Sequence, residues 1–279
     1  MEERLHKLLA QHGLGSRRQV EDWIRAGRIL INGQPASIGQ RVRSSDRIVV
    51  DGKDVSRRVS APQKLRVIAY HKPSGELLRG RAGDERSPVD ARLPSLHAGR
   101  WLPINTVGFA EDGLLLLTND GALAAAAGRR GRELPVEYRV RVLRPRDAVA
   151  WPAIPRSIET DGQRSEFTTV EAIEAPGSNV WFRVEAARAV ARGAVRALFD
   201  AAGLKVSRIL LLRWGSISLP RDLPRGRSRE LTGEDLKFLL GFGGGSTTAE
   251  RPRAARRGGP KRSPPAKLRR SAAPRSGGR

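Results

Sequence analysis

Apolar residues recur every three or four positions in two stretches near the start of the chain, residues 5–9 and residues 20–24. This spacing predicts two short helices, and the Ser16–Gln19 pair matches a capping box at the start of the second one. Alternating apolar residues then lead into an Asn-Gly pair at 32–33 and an Asp-Gly pair at 51–52, which favour tight turns. The pattern therefore predicts two helices followed by two small hairpins.

A continuous apolar run, Leu114–Leu117, stands near the middle of the chain. It is too short for a helix of its own and suits a strand buried on both faces. Thr118–Gly121 should end this strand in a sharp turn, since Asn and Asp bond their own backbone and glycine tolerates positive φ. A helix should follow in the alanine-rich segment 122–127. Further strands are predicted at residues 67–70, 137–142, 180–182, 207–214 and 217–219, and a further helix at residues 195–202.

Composition divides the chain into three parts. Residues 57–63 are polar, contain Pro62 and lack periodicity, which is typical of a linker between domains. From Gly241 onward the chain consists mainly of glycine, serine, proline, alanine and basic residues, which predicts a disordered tail. We therefore predict domains at residues 1–60 and 61–240 and a tail at residues 241–279, with an α+β fold class.

The charge of the chain indicates its partner. A formal net charge of +23 exceeds what solubility requires and favours a polyanion, with nucleic acid preferred over a membrane surface. The tail alone contributes +10, from eleven basic residues and Glu250, and should bind phosphates without specificity. The sequence contains no cysteine, which excludes thiolate catalysis and cysteine-bound zinc.

Several other classes of protein are disfavoured. No apolar run approaches the roughly 18 residues of a membrane span, and the N-terminus does not match a signal peptide. The four histidines are scattered without metal-ligand spacing. We therefore predict a soluble cytoplasmic monomer without a metal, a cofactor or a membrane partner.

A recognisable set of residues spans the first 60 positions. It comprises Arg4-Leu5, Lys7, Leu9-Ala10, Gly13, Ser16-Arg17-Arg18, Ile24, Gly27 and Ile31-Asn32-Gly33. The set resembles the S-four-type RNA-binding domain, also called the alpha-L motif, and implies RNA binding. Free N–H groups in the first turn of the second helix already favour a phosphate beside Arg17 and Arg18. The predicted RNA contacts of this region are Arg4, Lys7, Ser16, Arg17, Arg18 and Arg25.

The nonapeptide GLLLLTNDG at residues 113–121 resembles a motif of the bacterial pseudouridine synthases of the RsuA and RluB type, which modify ribosomal RNA. In that family the motif follows Gly-Arg-Leu-Asp, two residues, Thr and one further residue, and the aspartate is the catalytic nucleophile. Counting back from Gly113 places Gly108 at the aspartate, Thr106 at the arginine and Glu111 at the threonine. The catalytic aspartate is therefore missing.

The resemblance continues on both sides of this altered motif. A turn at Lys72–Gly75 opens the catalytic domain of the family, and Lys72 is predicted to reach a phosphate. Tyr138 takes the place of the family's active-site tyrosine, whose ring packs against the target base. Val195-Arg196 agrees with a second motif, which supplies a basic residue beside the catalytic carboxylate, but Arg192 is displaced by one position. The resemblance implies a mixed, mainly antiparallel sheet domain of pseudouridine synthase type.

The family isomerises uridine without metal or cofactor, on a nucleotide that is first extruded from its stack. Glycine offers no nucleophile or general base at position 108, so we predict a protein that binds ribosomal RNA and makes little or no pseudouridine. Two alternatives stay open. The chain could be an active isomerase that uses a displaced carboxylate, Glu111 or Asp112, or a general nucleic-acid-binding protein, for example one of ribosome assembly.

Overall fold

A computed structural model of the protein describes residues 2–43, 45–61, 64–78, 89–143, 151–173 and 179–243. The predicted basic tail lies outside these ranges from residue 244 onward. The described residues belong to one compact unit. In the described ranges, no helix combines the length and the apolar character that crossing a membrane requires.

The N-terminal region contains short helices packed on small antiparallel sheets. Its elements are β1 (Glu3–Arg4), α1 (Leu5–Gln11), α2 (Arg17–Arg25), β2 (Ile29–Ile31), β3 (Gln34–Pro35), β4 (Arg41–Val42), β5 (Ile48–Val50), β6 (Lys53–Asp54) and α3 (Ser56–Ser60). One sheet has the order β3-β2-β5-β6, and β1 pairs with β4. The predicted order of two helices and two hairpins, β2-β3 and β5-β6, is confirmed.

Local sequence explains these elements. The side chain of Ser16 accepts a hydrogen bond from the Gln19 amide at 3.2 Å, and the Gln19 side chain accepts one from the Ser16 amide at 2.8 Å, so the predicted capping box is formed. Asn32 and Asp51 have φ values of 52° and 50°, as the hairpin turns require. The expected linker is partly wrong, because α3 is helical and buries Val59 in the same apolar core as α1 and α2.

The remainder of the described chain builds a nine-stranded main sheet and a separate two-stranded sheet, which is the hairpin at residues 157–166. The strands are β7 (Val67–Lys72), β8 (Leu102–Pro103), β9 (Asp112–Thr118), β10 (Val136–Leu143), β11 (Ser157–Thr160), β12 (Gln163–Glu166), β13 (Thr169–Ile173), β14 (Asn179–Ala186), β15 (Val206–Trp214), β16 (Ile217–Ser218) and β17 (Ser228–Glu230). The helices are α4 (Gly121–Arg130), α5 (Ala194–Asp200) and α6 (Gly233–Leu240), with 3-10 turns at Val89–Arg92 and Gly131–Glu133.

The main sheet has the order β13-β14-β10-β15-β9-β7-β17. The pair β9-β15 is parallel, and the other neighbouring pairs along this order are antiparallel. The mixed, mainly antiparallel sheet and the α+β class are thus as predicted. Apolar residues of the sheet, α4 and α5 share one core, which is separate from the core of the N-terminal region.

Strand β9 lies inside the sheet and is buried along its whole length, as its apolar run predicts. Gly113 permits the approach of its neighbour, because a Cβ atom there would lie 2.3 Å from the carbonyl oxygen of Leu211 in β15. The exit from β9 differs in detail from the expected turn. Asp120 caps α4 by accepting hydrogen bonds from two backbone amides, and Gly121 is the first helical residue rather than a positive-φ turn residue.

Candidate functional site

A loop over residues 105–111 leads into β9 at the position of the altered motif. Asn105 fixes the start of this loop: its side-chain amide donates to the Leu114 carbonyl at 2.9 Å and accepts from the Leu116 amide at 2.8 Å. Both partners are backbone groups of β9, so the loop folds back along the strand that follows it. Asn105 is buried, which makes these two hydrogen bonds costly to lose.

Lys72 holds the other half of the loop. Its side chain is fully buried, and Nζ donates to the carbonyl oxygens of Gly108 at 2.9 Å, Glu111 at 3.0 Å and Pro73 at 3.0 Å. Burial lowers the pKa of the Lys72 ammonium, and nearby carboxylates partly oppose that shift. The Lys72 ammonium serves backbone carbonyls inside the protein, which argues against its predicted contact with a phosphate.

Glu111 fills the space beside position 108. Its Oε2 accepts a hydrogen bond from the Gly108 amide at 2.7 Å, and the Glu111 amide donates back to the Gly108 carbonyl at 3.2 Å. A Cβ atom added at Gly108 would lie 2.9 Å from the carboxyl carbon of Glu111 and 2.9 Å from Oε2. A carboxylate thus lies where the side chain of residue 108 would begin, although it comes from three residues later in the chain.

Tyr138 lies near this carboxylate. It belongs to β10, where it stands opposite Val184 in β14 and Leu211 in β15. Burial raises the pKa of the Tyr138 hydroxyl, and the negative charge of Glu111 raises it further. The fold therefore places two of the predicted site residues, Tyr138 and Glu111, within electrostatic range of each other.

Asp112, the second fallback carboxylate, has a different environment. It is buried, one oxygen accepts from the Ser74 amide, and the other is paired with Nε of Arg208 in β15. Both oxygens are bonded to protein groups, so Asp112 ties β9 to the β7 turn and to β15. Sequence reasoning missed Arg208, because its partner lies 96 positions away and no local pattern marks it.

The basic residues of the second motif do not meet Glu111. Arg196, in α5, is partly buried and donates to the Val206 carbonyl at 3.0 Å. Arg188 and Arg192 precede the helix and are exposed. Among the described residues, no ion pair joins Glu111 to a lysine, arginine or histidine side chain.

The predicted RNA-contact residues of the N-terminal region differ in whether their side chains already form ion pairs within the protein. Arg17 and Arg18 are exposed in the first turn of α2, directly after the Ser16 cap. Lys7 instead forms an ion pair with Glu3 at 2.5 Å, and Arg25 forms one with Asp22 at 2.6 Å. Arg4 is exposed in β1. Arg17 and Arg18 are thus the best placed of the set to meet a phosphate.

The described ranges contain no group of three or more histidine, aspartate or glutamate side chains that could hold a metal ion. The site consists of a carboxylate, a tyrosine and backbone amides. In chemical terms it offers one hydrogen-bond acceptor, the Glu111 carboxylate, near the ring of Tyr138. The loop that carries Glu111 is fixed by the buried ammonium of Lys72.

Comparison with known proteins agrees with this fold. Residues 3–48 match the family model described as the S4 domain. The ribosomal large subunit pseudouridine synthase B of Escherichia coli strain K12 is 38% identical over 241 residues, covering 86% of this chain and 82% of its own length. The protein of the same name from Salmonella typhi is 37% identical over 244 residues, covering 87% and 84%.

A relative from Xylella fastidiosa, which carries the same name, is 40% identical over 246 residues; these cover 86% of this chain and 51% of the relative. Among solved structures, a pseudouridylate synthase aligns with a TM-score of 0.51 at 21% identity, covering 85% of this chain and 99% of that one. The structural match supports the fold, and the sequence matches establish kinship. The chain belongs to the family of the ribosomal large subunit pseudouridine synthases B.

Proposed function

We propose that this protein binds ribosomal RNA of the large subunit, presents a nucleotide to Tyr138, and makes little or no pseudouridine. The observation that carries the proposal is the environment of position 108. Gly108 has no side chain, and the Glu111 carboxylate beside it is bonded to a backbone amide and forms no ion pair in the described part of the chain.

The chemistry of the family explains why this matters. A carboxylate that attacks a sugar or a base must be ionised, free to approach the reacting carbon and oriented by a partner. One oxygen of Glu111 is committed to the Gly108 amide at 2.7 Å, and Arg196, which the family resemblance places beside the catalytic carboxylate, donates to the Val206 carbonyl instead. Recognition of RNA requires none of these catalytic features, since phosphate contacts supply most of the affinity.

The proposal is tested by measuring pseudouridine in unmodified large-subunit ribosomal RNA after incubation with the purified protein. We expect RNA binding with no more than trace pseudouridine. Gly108→Asp alone would displace the Glu111 side chain, because a Cβ atom added at position 108 would lie 2.9 Å from the carboxyl carbon of Glu111. Gly108→Asp combined with Glu111→Thr, which restores the family's residues at both positions, is therefore the variant to compare. Robust turnover by the natural protein would contradict the proposal.

A second candidate function is favoured by the position of Glu111. Its carboxylate lies within about 3 Å of the point where the family's nucleophile begins, and its charge reaches Tyr138. Under this alternative the protein is an active isomerase, and Glu111 supplies the carboxylate that residue 108 supplies in the family. Pseudouridine formation that is lost in Glu111→Gln and kept in Asp112→Asn, with RNA binding intact in both, would establish this second function.

Arg17→Ala combined with Arg18→Ala should weaken RNA binding without unfolding the protein. Both side chains are exposed beside a helix N-terminus, so their loss removes phosphate contacts but little buried area. We expect affinity to fall by about ten- to a hundredfold and the melting temperature to change by less than about 2 °C. Binding titrations and thermal scans measure the two effects.

The matched control is Arg28→Ala combined with Arg47→Ala, which removes the same charge from arginines that are paired with Asp51 and Asp54. This control should retain more affinity than the test variant. Equal losses of affinity in the two variants would mean that net charge, rather than the start of α2, determines binding.

A further inference from the structure

Two arginine-rich segments lie against each other at one end of the main sheet. The first is the last turn of α4 with the 3-10 turn that follows it, residues 129–133, and the second is the connection from β14 to α5, residues 187–193. The Ala189 amide donates to the Arg132 carbonyl at 3.1 Å, which joins the two segments directly. We call the exposed arginines of these segments, Arg129, Arg132, Arg188 and Arg192, the arginine rim.

The charges of the rim are not neutralised within the described residues. All four side chains are exposed, and none of them forms an ion pair with a described carboxylate. Glu133 is the single acidic residue in the two segments. Arg130 is different, because its guanidinium lies over the Phe242 ring at 6.0 Å and donates to the Gly241 carbonyl at 3.5 Å. The rim is therefore a surface of positive charge, and Arg130 serves packing.

Both segments that carry the arginine rim lie close to Tyr138 in the sequence and in the sheet. Residue 133 leads within three residues into Val136 of β10, and Val136 pairs with Ala186, the last residue of β14. Tyr138 is two residues farther into the sheet and pairs with Val184. At about 3.3 Å per strand residue, the end of the sheet that carries the rim is roughly 7 Å from Tyr138.

We propose that the arginine rim binds the phosphates of the RNA strand that flank the nucleotide presented to Tyr138. This inference rests on the proposed RNA-binding function and gives it a second contact surface, independent of the α2 arginines. Guanidinium groups bind phosphate oxygens in a fork of two hydrogen bonds. An RNA strand bound only at α2 would not hold its nucleotide at Tyr138. Phosphate contacts beside the site would fix the position of that nucleotide.

The test compares Arg132→Gln/Arg188→Gln with Arg164→Gln/Arg229→Gln in the full chain. Both double variants remove two charges from exposed arginines, but Arg164 and Arg229 are paired with Glu166 and Asp222. The measurement is affinity for large-subunit ribosomal RNA at several salt concentrations. We expect the rim variant to bind about tenfold or more weakly, with a salt slope smaller by about 1.4–1.8, and the control to resemble the natural protein.

The possible outcomes are distinct. Equal binding by the rim variant and the control, with unchanged melting temperatures, would overturn the rim inference and leave RNA binding at α2 in place. Failure of the natural protein to bind ribosomal RNA would overturn the proposed function and the rim inference together. If the rim variant loses an acidic protein partner while its RNA affinity is unchanged, the rim is a protein-docking surface and the inference is wrong.

Discussion

Gly113→Ala is expected to lower the free energy of unfolding of the main sheet by about 4 kcal/mol or more, which is at the upper end for a single substitution. Gly113 has a φ of 121°, and an added Cβ would lie 2.3 Å from the Leu211 carbonyl oxygen and 2.6 Å from its amide nitrogen. These are backbone atoms, so no side-chain rotation can relieve the contact. The parallel pair β9-β15 would have to separate.

Gly162→Ala is the matched control for this experiment. Gly162 also has a positive φ, 72°, but a Cβ there would meet nothing within 4 Å. Its replacement should cost about 1–2 kcal/mol, from backbone conformation alone. Urea denaturation followed by tryptophan fluorescence gives both values. Similar losses in the two variants would show that crowding by β15 is unimportant at Gly113.

Much of the fold could be predicted from short-range signals. The run Leu114–Leu117 defined the central strand, and the Ser16–Gln19 pair defined the start of α2, because each signal acts over four residues or fewer. The errors fell where local signals compete with packing. Residues 57–60 are polar enough for a linker, yet Val59 buries its side chain in the N-terminal core and so keeps α3 packed against it.

The site was less accessible to sequence reasoning because its contacts are distant in the chain. Lys72 and the Gly108 carbonyl are 36 positions apart, and Asp112 and Arg208 are 96 positions apart. A lysine before a proline-glycine turn is usually exposed, so its burial could not be inferred. The motif alignment predicts that position 108 carries no nucleophile, and only the fold of the loop distinguishes Glu111 from Asp112 as the carboxylate beside that position.

Lys72→Met is expected to lower the free energy of unfolding by about 3 kcal/mol while leaving RNA affinity within about twofold of the natural value. Methionine preserves most of the side-chain volume but cannot donate to the carbonyls of Gly108, Glu111 and Pro73, which would lose their buried donor. Leaving three buried carbonyls without a donor should cost more free energy than is gained by no longer burying the ammonium charge. Chemical denaturation and RNA titration measure the two quantities.

Hydrogen exchange locates the effect of the substitution. The amides of Gly108 and Glu111 should lose protection in Lys72→Met, since the loop over residues 105–111 depends on the ammonium for its shape, whereas the N-terminal core should exchange as before. Lys237→Met, which removes an exposed lysine paired with Glu234, is the control and should change neither quantity appreciably. If Lys72→Met instead kept full stability and lost RNA affinity, Lys72 would be a phosphate contact after all, and the loop carbonyls would need another donor.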